Sequence, residues 1–276
     1  MAQGFSVGTT RSTTHIAKDL ISKVRWTRLA RQVAFYVVLL LLWQGLAHSG
    51  LWPDYLFPGP VDVGHALVKG FGDGTFVTAI LVSLRRLALG YGLSLILGVV
   101  LGTLIASNRY VEETLGSLVL GLQALPSVCW VPLALLWLHA SEQAMIFVVV
   151  MGALFSIILG VDAGIKNTPP LYIKAARNMG GRGLALSTQV ILPAALPSIL
   201  TGLKQGWSFA WRSLMAAELI NITVSLGGIL ETAHDLIDIA QMFAIMIIIV
   251  ALGVLINAVM FAPLERVIRN RWGLAK

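Results

Sequence analysis

Residues 174–193 read Lys174-Ala-Ala-Arg-Asn-Met-Gly180-Gly-Arg-Gly-Leu-Ala-Leu-Ser-Thr-Gln-Val190-Ile-Leu192-Pro193, a polar and basic stretch in an otherwise largely apolar chain. Its local physics describes a short helix ended by a turn. Thr168 stands where it can cap a helix whose first turn holds Pro169 and Pro170, and a missing N–H does no harm there. Gly180 and Gly181 supply the left-handed turn that stops a helix. The adjacent Ala175 and Ala176 leave room for another protein to approach closely. A helix–glycine–helix loop is by itself also an ordinary amphipathic connector, so its surroundings decide its meaning.

Those surroundings belong in a membrane. The 276 residues are 57% hydrophobic and only 12% charged. A soluble domain of that length cannot hide so much apolar surface. The net charge of +7, from 20 basic and 13 acidic residues, would suit nucleic acid if it lay on one face. Here the basic residues sit at loops and ends, so no nucleic-acid partner is expected. Cys129 is the single cysteine, which excludes an internal disulfide and leaves the redox compartment unread. The polar run ahead of the first apolar segment is longer than the n-region of a signal peptide. No GxxxxGK[ST] occurs, so no nucleotide site is expected in this chain.

Six segments approach the ~20 residues that a hydrocarbon core requires. They are Gln32–Leu51, Leu87–Ala106, Gly116–Leu138, Ala144–Asp162, Leu196–Ile220 and Met242–Leu264. The expected fold is all-α and polytopic: an N-terminal tail over 1–31, a membrane domain over 32–264 and a C-terminal tail over 265–276. The stretch quoted above falls in the loop over residues 164–193, between the fourth and fifth spans. Gly98-Val-Val-Leu-Gly102 in the second span permits close helix contact, although glycine is also simply common in membrane helices. No internal repeat is visible, which weakens the alternative of an ATP-independent secondary transporter.

Charge sets the expected orientation. The N-terminal tail holds Arg11, Lys18, Lys23, Arg25, Arg28 and Arg31 against Asp19. The loop after the fourth span holds Lys166, Lys174, Arg177 and Arg182, and the C-terminal tail holds Arg266, Arg269, Arg271 and Lys276 against Glu265. Between the fifth and sixth spans stand Glu231, Asp235 and Asp238 with no Lys or Arg. By the positive-inside rule both termini and the long loop face the cytoplasm. An even number of spans is then required, and six satisfies it.

Two spans carry groups that lipid would not tolerate. The third, Ala124-Leu-Pro126-Ser-Val-Cys-Trp-Val-Pro132-Leu-Ala-Leu-Leu-Trp137, has two prolines that free backbone carbonyls inside the membrane. Those carbonyls must be satisfied within protein or near water, which places the segment at a pathway or subunit interface, with a plain kinked helix as the alternative. The fifth span holds Lys204, Trp207, Trp211, Arg212 and Glu218. Arg212 and Glu218 are about 9 Å apart along a helix and about 240° around it, so they do not face each other within one helix. Three offsets for Arg212 remain open: a water-lined anion pathway, an ion pair with Glu218 of a second copy, or snorkelling. Arg86, ahead of the second span, reads as an interfacial snorkelling residue rather than a substrate contact. No HExxH, GxSxG or Cys/His cluster occurs, and Glu231-x-x-His234 has no second copy to complete a di-iron site. No catalytic, cofactor or metal residues are therefore expected.

The loop at Lys174–Pro193 resembles the "EAA" loop of ABC-importer permeases: Glu-Ala-Ala, three residues, Gly, nine residues, Ile, one residue, Leu-Pro. Ala175, Ala176, Gly180, Leu192 and Pro193 match at every spacing, Val190 stands for Ile, and Lys174 stands for Glu. The run from Pro126 through Pro132 and Trp137 to Glu142 resembles the nitrate/sulfonate/taurine branch, with Leu138, His139 and Ser141 replacing a Phe and two glycines. Ser83 and Arg86 followed by Gly90, and Trp211 followed by Ala216-Ala217-Glu218, fit the same branch. The resemblance implies a type I importer permease, paired with a second copy in the bacterial inner membrane. It further implies separate ATPase subunits carrying ATP and Mg, an extracytoplasmic binding protein, and a small oxyanion or sulfonated substrate moved by alternating access. Lys174, Ala175, Ala176, Gly180, Val190, Leu192 and Pro193 are the expected ATPase-coupling residues, and Pro126, Pro132, Trp137, Trp211, Arg212 and Glu218 the candidate pathway residues.

Overall fold

The computed structural model describes residues 12–53, 55–220 and 223–272, with side chains from residue 30 onward except Leu184. The expectations for the first residues of the N-terminal tail, and for its basic side chains before residue 30, lie outside this description. Every regular element among the described residues is helical. It divides into two units, one ending at Gly64 and one beginning at His65.

In the first unit, α1 spans Ser12–Ala47 and runs unbroken across the expected tail boundary at residue 31. Its apolar window is Ala30–Ala47, four residues shorter at its C-terminal end than the span expected to reach Leu51. Phe35 through Leu42 are exposed apolar side chains, as a lipid-facing helix requires. Beyond it the Trp43 indole N–H donates to the Pro58 carbonyl at 3.1 Å, folding the connection back toward α2 (Pro60–Gly72).

The second unit is built on α3 (Thr75–Ser107), which begins twelve residues before the expected second span. Arg85 and Arg86 interrupted the apolar pattern in the sequence, but the helix runs straight through them because Arg86 is paired inside the protein. Then come α4 (Arg109–Val111), a π turn at Glu112–Gly116 and α5 (Ser117–Gln123). The chain breaks there and resumes as a 3₁₀ turn at Ser127–Cys129 leading into α6 (Trp130–Leu138). The two arms meet at 96°. The third span, whose ladder both prolines were expected to interrupt, is broken at Pro126 alone. Pro132 lies in the first turn of α6, where no helical bond is lost.

Helix α7 (Glu142–Lys166) is the hub of the unit, packed along α3 on one side and α10 on the other. After it come α8 (Pro170–Asn178), α9 (Gly183–Leu186), a π turn at Ser187–Ile191 and α10 (Leu192–Leu219). The unit closes with α11 (Leu226–Asp235), α12 (Ile239–Ile256), a π turn at Asn257–Phe261 and α13 (Ala262–Arg271). Leu87, Tyr91, Val149, Ala153, Ile157, Val161, Ala195 and Leu214 form the core joining α3, α7 and α10. Glycine sets how closely these helices meet. A Cβ on Gly98 would lie 2.6 Å from Ile157, and one on Gly102 would lie 2.7 Å from the Ile158 carbonyl, so the GxxxG face is the α3–α7 contact.

Among the described residues four helical stretches are long and apolar enough to cross a membrane: Ala30–Ala47, Thr75–Ser107, Glu142–Lys166 and Ile239–Arg271. The broken pair makes a fifth if it counts as one span. At 28 residues α10 is also long enough, but it carries Lys204, Arg212 and Glu218 and falls outside the apolar group.

Candidate functional site

Two places in the second unit stand out among the described residues: the loop around α8, and a cleft where the broken span meets α7 and α10.

Helix α7 ends at Lys166, and Thr168 closes it rather than capping the next helix. The Thr168 hydroxyl donates to the Gly164 carbonyl at 3.3 Å, and its N–H donates to Ile165 at 3.2 Å. The cap position of α8 is held by Pro169, which offers no side-chain acceptor. At the other end the Gly180 N–H donates to the Arg177 carbonyl at 3.0 Å, and the Gly181 N–H to Ala176 at 2.9 Å. Gly180 sits at φ +89, completing a Schellman motif, whereas Gly181 takes no positive φ. Lys174 and Ala175 are exposed, Ala176 is half-buried, and no residue of α8 is buried. Leu171, Ala175 and Met179 recur at four-residue spacing and are all exposed, which gives a small-centred apolar stripe. Val190 lies half-buried in the π turn, and Leu192 and Pro193 open α10.

The cleft, of about 340 Å³, lies at the break of the third span. Pro126 makes the break, at φ −55 and ψ 134. Gln123 and Ser127 line it from the two arms, Met151, Phe155 and Ser156 from α7, and Phe209 and Arg212 from α10. Arg212 Nε donates to the Ser208 carbonyl of its own helix at 3.2 Å, and the guanidinium lies 4.7 Å from the Phe209 ring centroid. Among the described residues no carboxylate pairs with it.

Glu218 lies elsewhere, held in a network of its own, which disfavours one of the three offsets open for Arg212, the ion pair with Glu218 of a second copy. It is fully buried and accepts from Ser83 Oγ at 2.7 Å, Arg86 Nη1 at 3.0 Å and the Gly227 N–H at 3.2 Å. Arg86 also reaches Glu142 at the start of α7, at 3.3 Å, and Ser83 accepts from the Leu226 N–H at 3.0 Å. Arg86, expected to snorkel, is only 3% exposed. This network ties α3, α7, α10 and α11 together and leaves the cleft to Arg212. Trp211 packs into the core instead of the cleft. Trp137 is exposed on α6 and meets Phe147 edge-on at 6.2 Å, and Pro132 is exposed on the same helix. Of the six candidate pathway residues, the structure brings Pro126 and Arg212 together and places the other four apart from them. Gln123 and Ser156 were missed. Ser156 sits in an apolar run on a different helix, and only tertiary packing brings it to the break.

Comparison with known proteins places this architecture. The family model described as "Binding-protein-dependent transport system inner membrane component" matches residues 94–270. The chain belongs to that family and is the membrane-spanning, non-enzymatic permease subunit of an ABC importer, with ATP hydrolysis on a separate subunit. Its relatives include a Methanocaldococcus jannaschii protein named as an ABC transporter permease, 30% identical and aligned over 87% of this chain and 91% of its own. The nitrate import permease NrtB of Synechocystis is 27% identical over 87% of this chain and 90% of its own. The taurine transport permease TauC of Escherichia coli is 30% identical over 77% and 80%. A crystal structure of an amino acid ABC transporter shares the fold, with TM-score 0.56 and 19% identity, covering 74% of this chain and 97% of that one.

Proposed function

We propose that two copies of this chain form the translocation unit of an importer for a small oxyanion or sulfonated compound, with both termini and α8 on the cytoplasmic side. The exposed α8, closed by Gly180 and offering the Leu171–Ala175–Met179 stripe, carries this reading. A short helix with no buried residue has its packing partner in another chain, and the ATPase is the partner that the family implies. Lys174, Ala175 and Ala176 lie on the contacting helix, and Val190, Leu192 and Pro193 set the turn that carries it into α10. ATP and Mg bind on the ATPase, and a binding protein delivers substrate from outside.

The coupling path is mechanical. Helix α8 follows α7 after three residues, and α7 is locked to α3 and α10 through glycine contacts, including Gly160 against Gly202. Movement of α8 therefore travels into the helix that carries one wall of the cleft. The nitrate and taurine permeases among the relatives, and an aliphatic sulfonate permease of Bacillus subtilis, support a substrate that carries an oxyanion or sulfonate group. Purification of the assembled transporter tests the assembly: the native mass should correspond to two permeases and two ATPase subunits. A mass with one permease, or with two different permeases, would contradict it.

A further inference from the structure

The cleft at the break of the third span gathers polar side chains that the described residues leave wholly or partly unpaired. Ser156 is only 4% exposed, and its hydroxyl, which lines the cleft, finds no hydrogen-bond partner among the described residues. Gln123 Oε1 is buried without a partner. The Ser127 hydroxyl is likewise unpaired there, and the N–H groups of Ser127 and Val128 precede the first bond of their turn, Cys129 N–H to the Pro126 carbonyl at 2.9 Å. Arg212 commits only Nε, to its own helix, leaving both Nη groups without a carboxylate. Buried polar groups in folded proteins are almost always satisfied, so Gln123 Oε1 and the Ser156 hydroxyl, left unpaired beside the exposed Arg212 in one 340 Å³ cleft, point to a ligand.

The donors share a chemistry. A guanidinium with free Nη groups offers paired hydrogen bonds to two oxygens of a planar or tetrahedral oxyanion. Hydroxyls at Ser127 and Ser156 donate without adding charge, and the Gln123 amide can turn its NH₂ inward. Among the described residues no Asp or Glu lines the cleft, and the remaining wall includes Met151 and Phe155.

Resting on the importer reading above, we propose that this cleft is a substrate subsite inside the permease. It holds a monovalent oxyanion, a sulfonate or nitrate, whose remainder is small and uncharged. A zwitterion such as taurine brings an ammonium group for which the cleft has no carboxylate, so alkanesulfonates and nitrate are preferred over it. The site lies toward the end of α10 that meets α11, since Leu219 closes the helix seven residues beyond Arg212.

The test uses the complete transporter in proteoliposomes, with assembly checked by co-purification of the ATPase. Uptake of ethanesulfonate, nitrate and taurine is measured for wild type, Arg212→Gln, Arg212→Lys, Ser156→Ala and, as a control outside the cleft, Thr201→Ala. Loss of a charge-assisted contact predicts a fall in anion uptake on the order of tenfold to a hundredfold for Arg212→Gln. Ser156→Ala should fall less, Arg212→Lys should lie between, and Thr201→Ala should match wild type. Ethanesulfonate should also raise the melting temperature of the detergent-solubilised permease–ATPase complex, and this shift should vanish in Arg212→Gln. Should Arg212→Gln fail to assemble, Ser156→Ala carries the same comparison. Uptake unchanged in both Ser156→Ala and Arg212→Gln would overturn the subsite while leaving the importer standing. Equal wild-type affinity for taurine and ethanesulfonate would overturn the uncharged-tail preference. No ATP-driven anion uptake by wild type would instead remove the importer reading on which the subsite rests.

Discussion

Arg86 and Glu218 meet at 3.0 Å from helices 132 residues apart in sequence, with side chains 3% and 0% exposed. The pair is not isolated. Ser83 and the Gly227 N–H complete the carboxylate, and Glu142 takes the second arm of the guanidinium. Removing one partner of a buried pair leaves an uncompensated charge, which costs about 3–5 kcal/mol. Arg86→Met and Glu218→Gln should each lower the thermal stability of the purified permease sharply. In the double variant the two losses should fall well short of additive, because the partners share one network. Additive losses measured by thermal unfolding would show that the two side chains act independently.

A strained position stands at the end of α11. Ile237 adopts φ 57, and its N–H and that of Asp238 donate back to His234 and Ala233 at 3.0 and 2.8 Å. This is a Schellman turn with a β-branched residue where glycine is usual. The left-handed conformation costs a residue with a Cβ about 1–2 kcal/mol. Ile237→Gly should therefore raise the melting temperature, partly offset by the greater freedom of glycine in the unfolded chain. A lower melting temperature would show that the exposed Ile237 side chain is held by a contact outside this chain.

Gly180 is the opposite case, a glycine where one is needed. Gly180→Val forces a Cβ into φ +89 and should cost about 1–2 kcal/mol locally. The turn after α8 would reopen while the core stays folded. The expected result is normal membrane insertion with loss of substrate-stimulated ATP hydrolysis, read from the purified complex. Retained stimulation would separate α8 from coupling.

Lys174 stands where the family pattern has an acid, and it is exposed on α8. Its partner on the ATPase should accordingly be a carboxylate or a carbonyl. Lys174→Glu should weaken coupling to the native ATPase, measured as ATP turnovers per molecule imported. Improved coupling would show that the contact surface is basic.

Orientation rests on charge counting and is checked by labelling. In a Cys129→Ser background, Ala185→Cys should be protected from an impermeant thiol reagent in intact cells. Leu236→Cys, 72% exposed, should react. The reverse pattern would invert the topology.

The helical fold and the loop were legible in the sequence because each depends on local spacing. Apolar runs give spans, and the Gly180 spacing gives the turn. The second span was begun too late because Arg86 looks like an interfacial residue until Glu142 and Glu218 are seen beside it. That partnership joins residues on three helices and leaves no mark on local pattern. The break at Pro126 was half-read: proline announces a lost hydrogen bond, but not whether the chain kinks or turns through 96°. Arg212 was singled out by the cost of its charge, whereas Ser156 and Gln123 are ordinary residues made significant by having no partner.

Accumulation of anion in sealed proteoliposomes tests the account most directly. They contain this permease with its ATPase and binding protein, and internal ATP is the only energy source. Ethanesulfonate or nitrate should accumulate against its gradient with ATP inside, stop when ATP is replaced by a non-hydrolysable analogue, and stop with Gly180→Val. Accumulation driven by an ion gradient without ATP would contradict the coupling of this chain to an ATPase through α8.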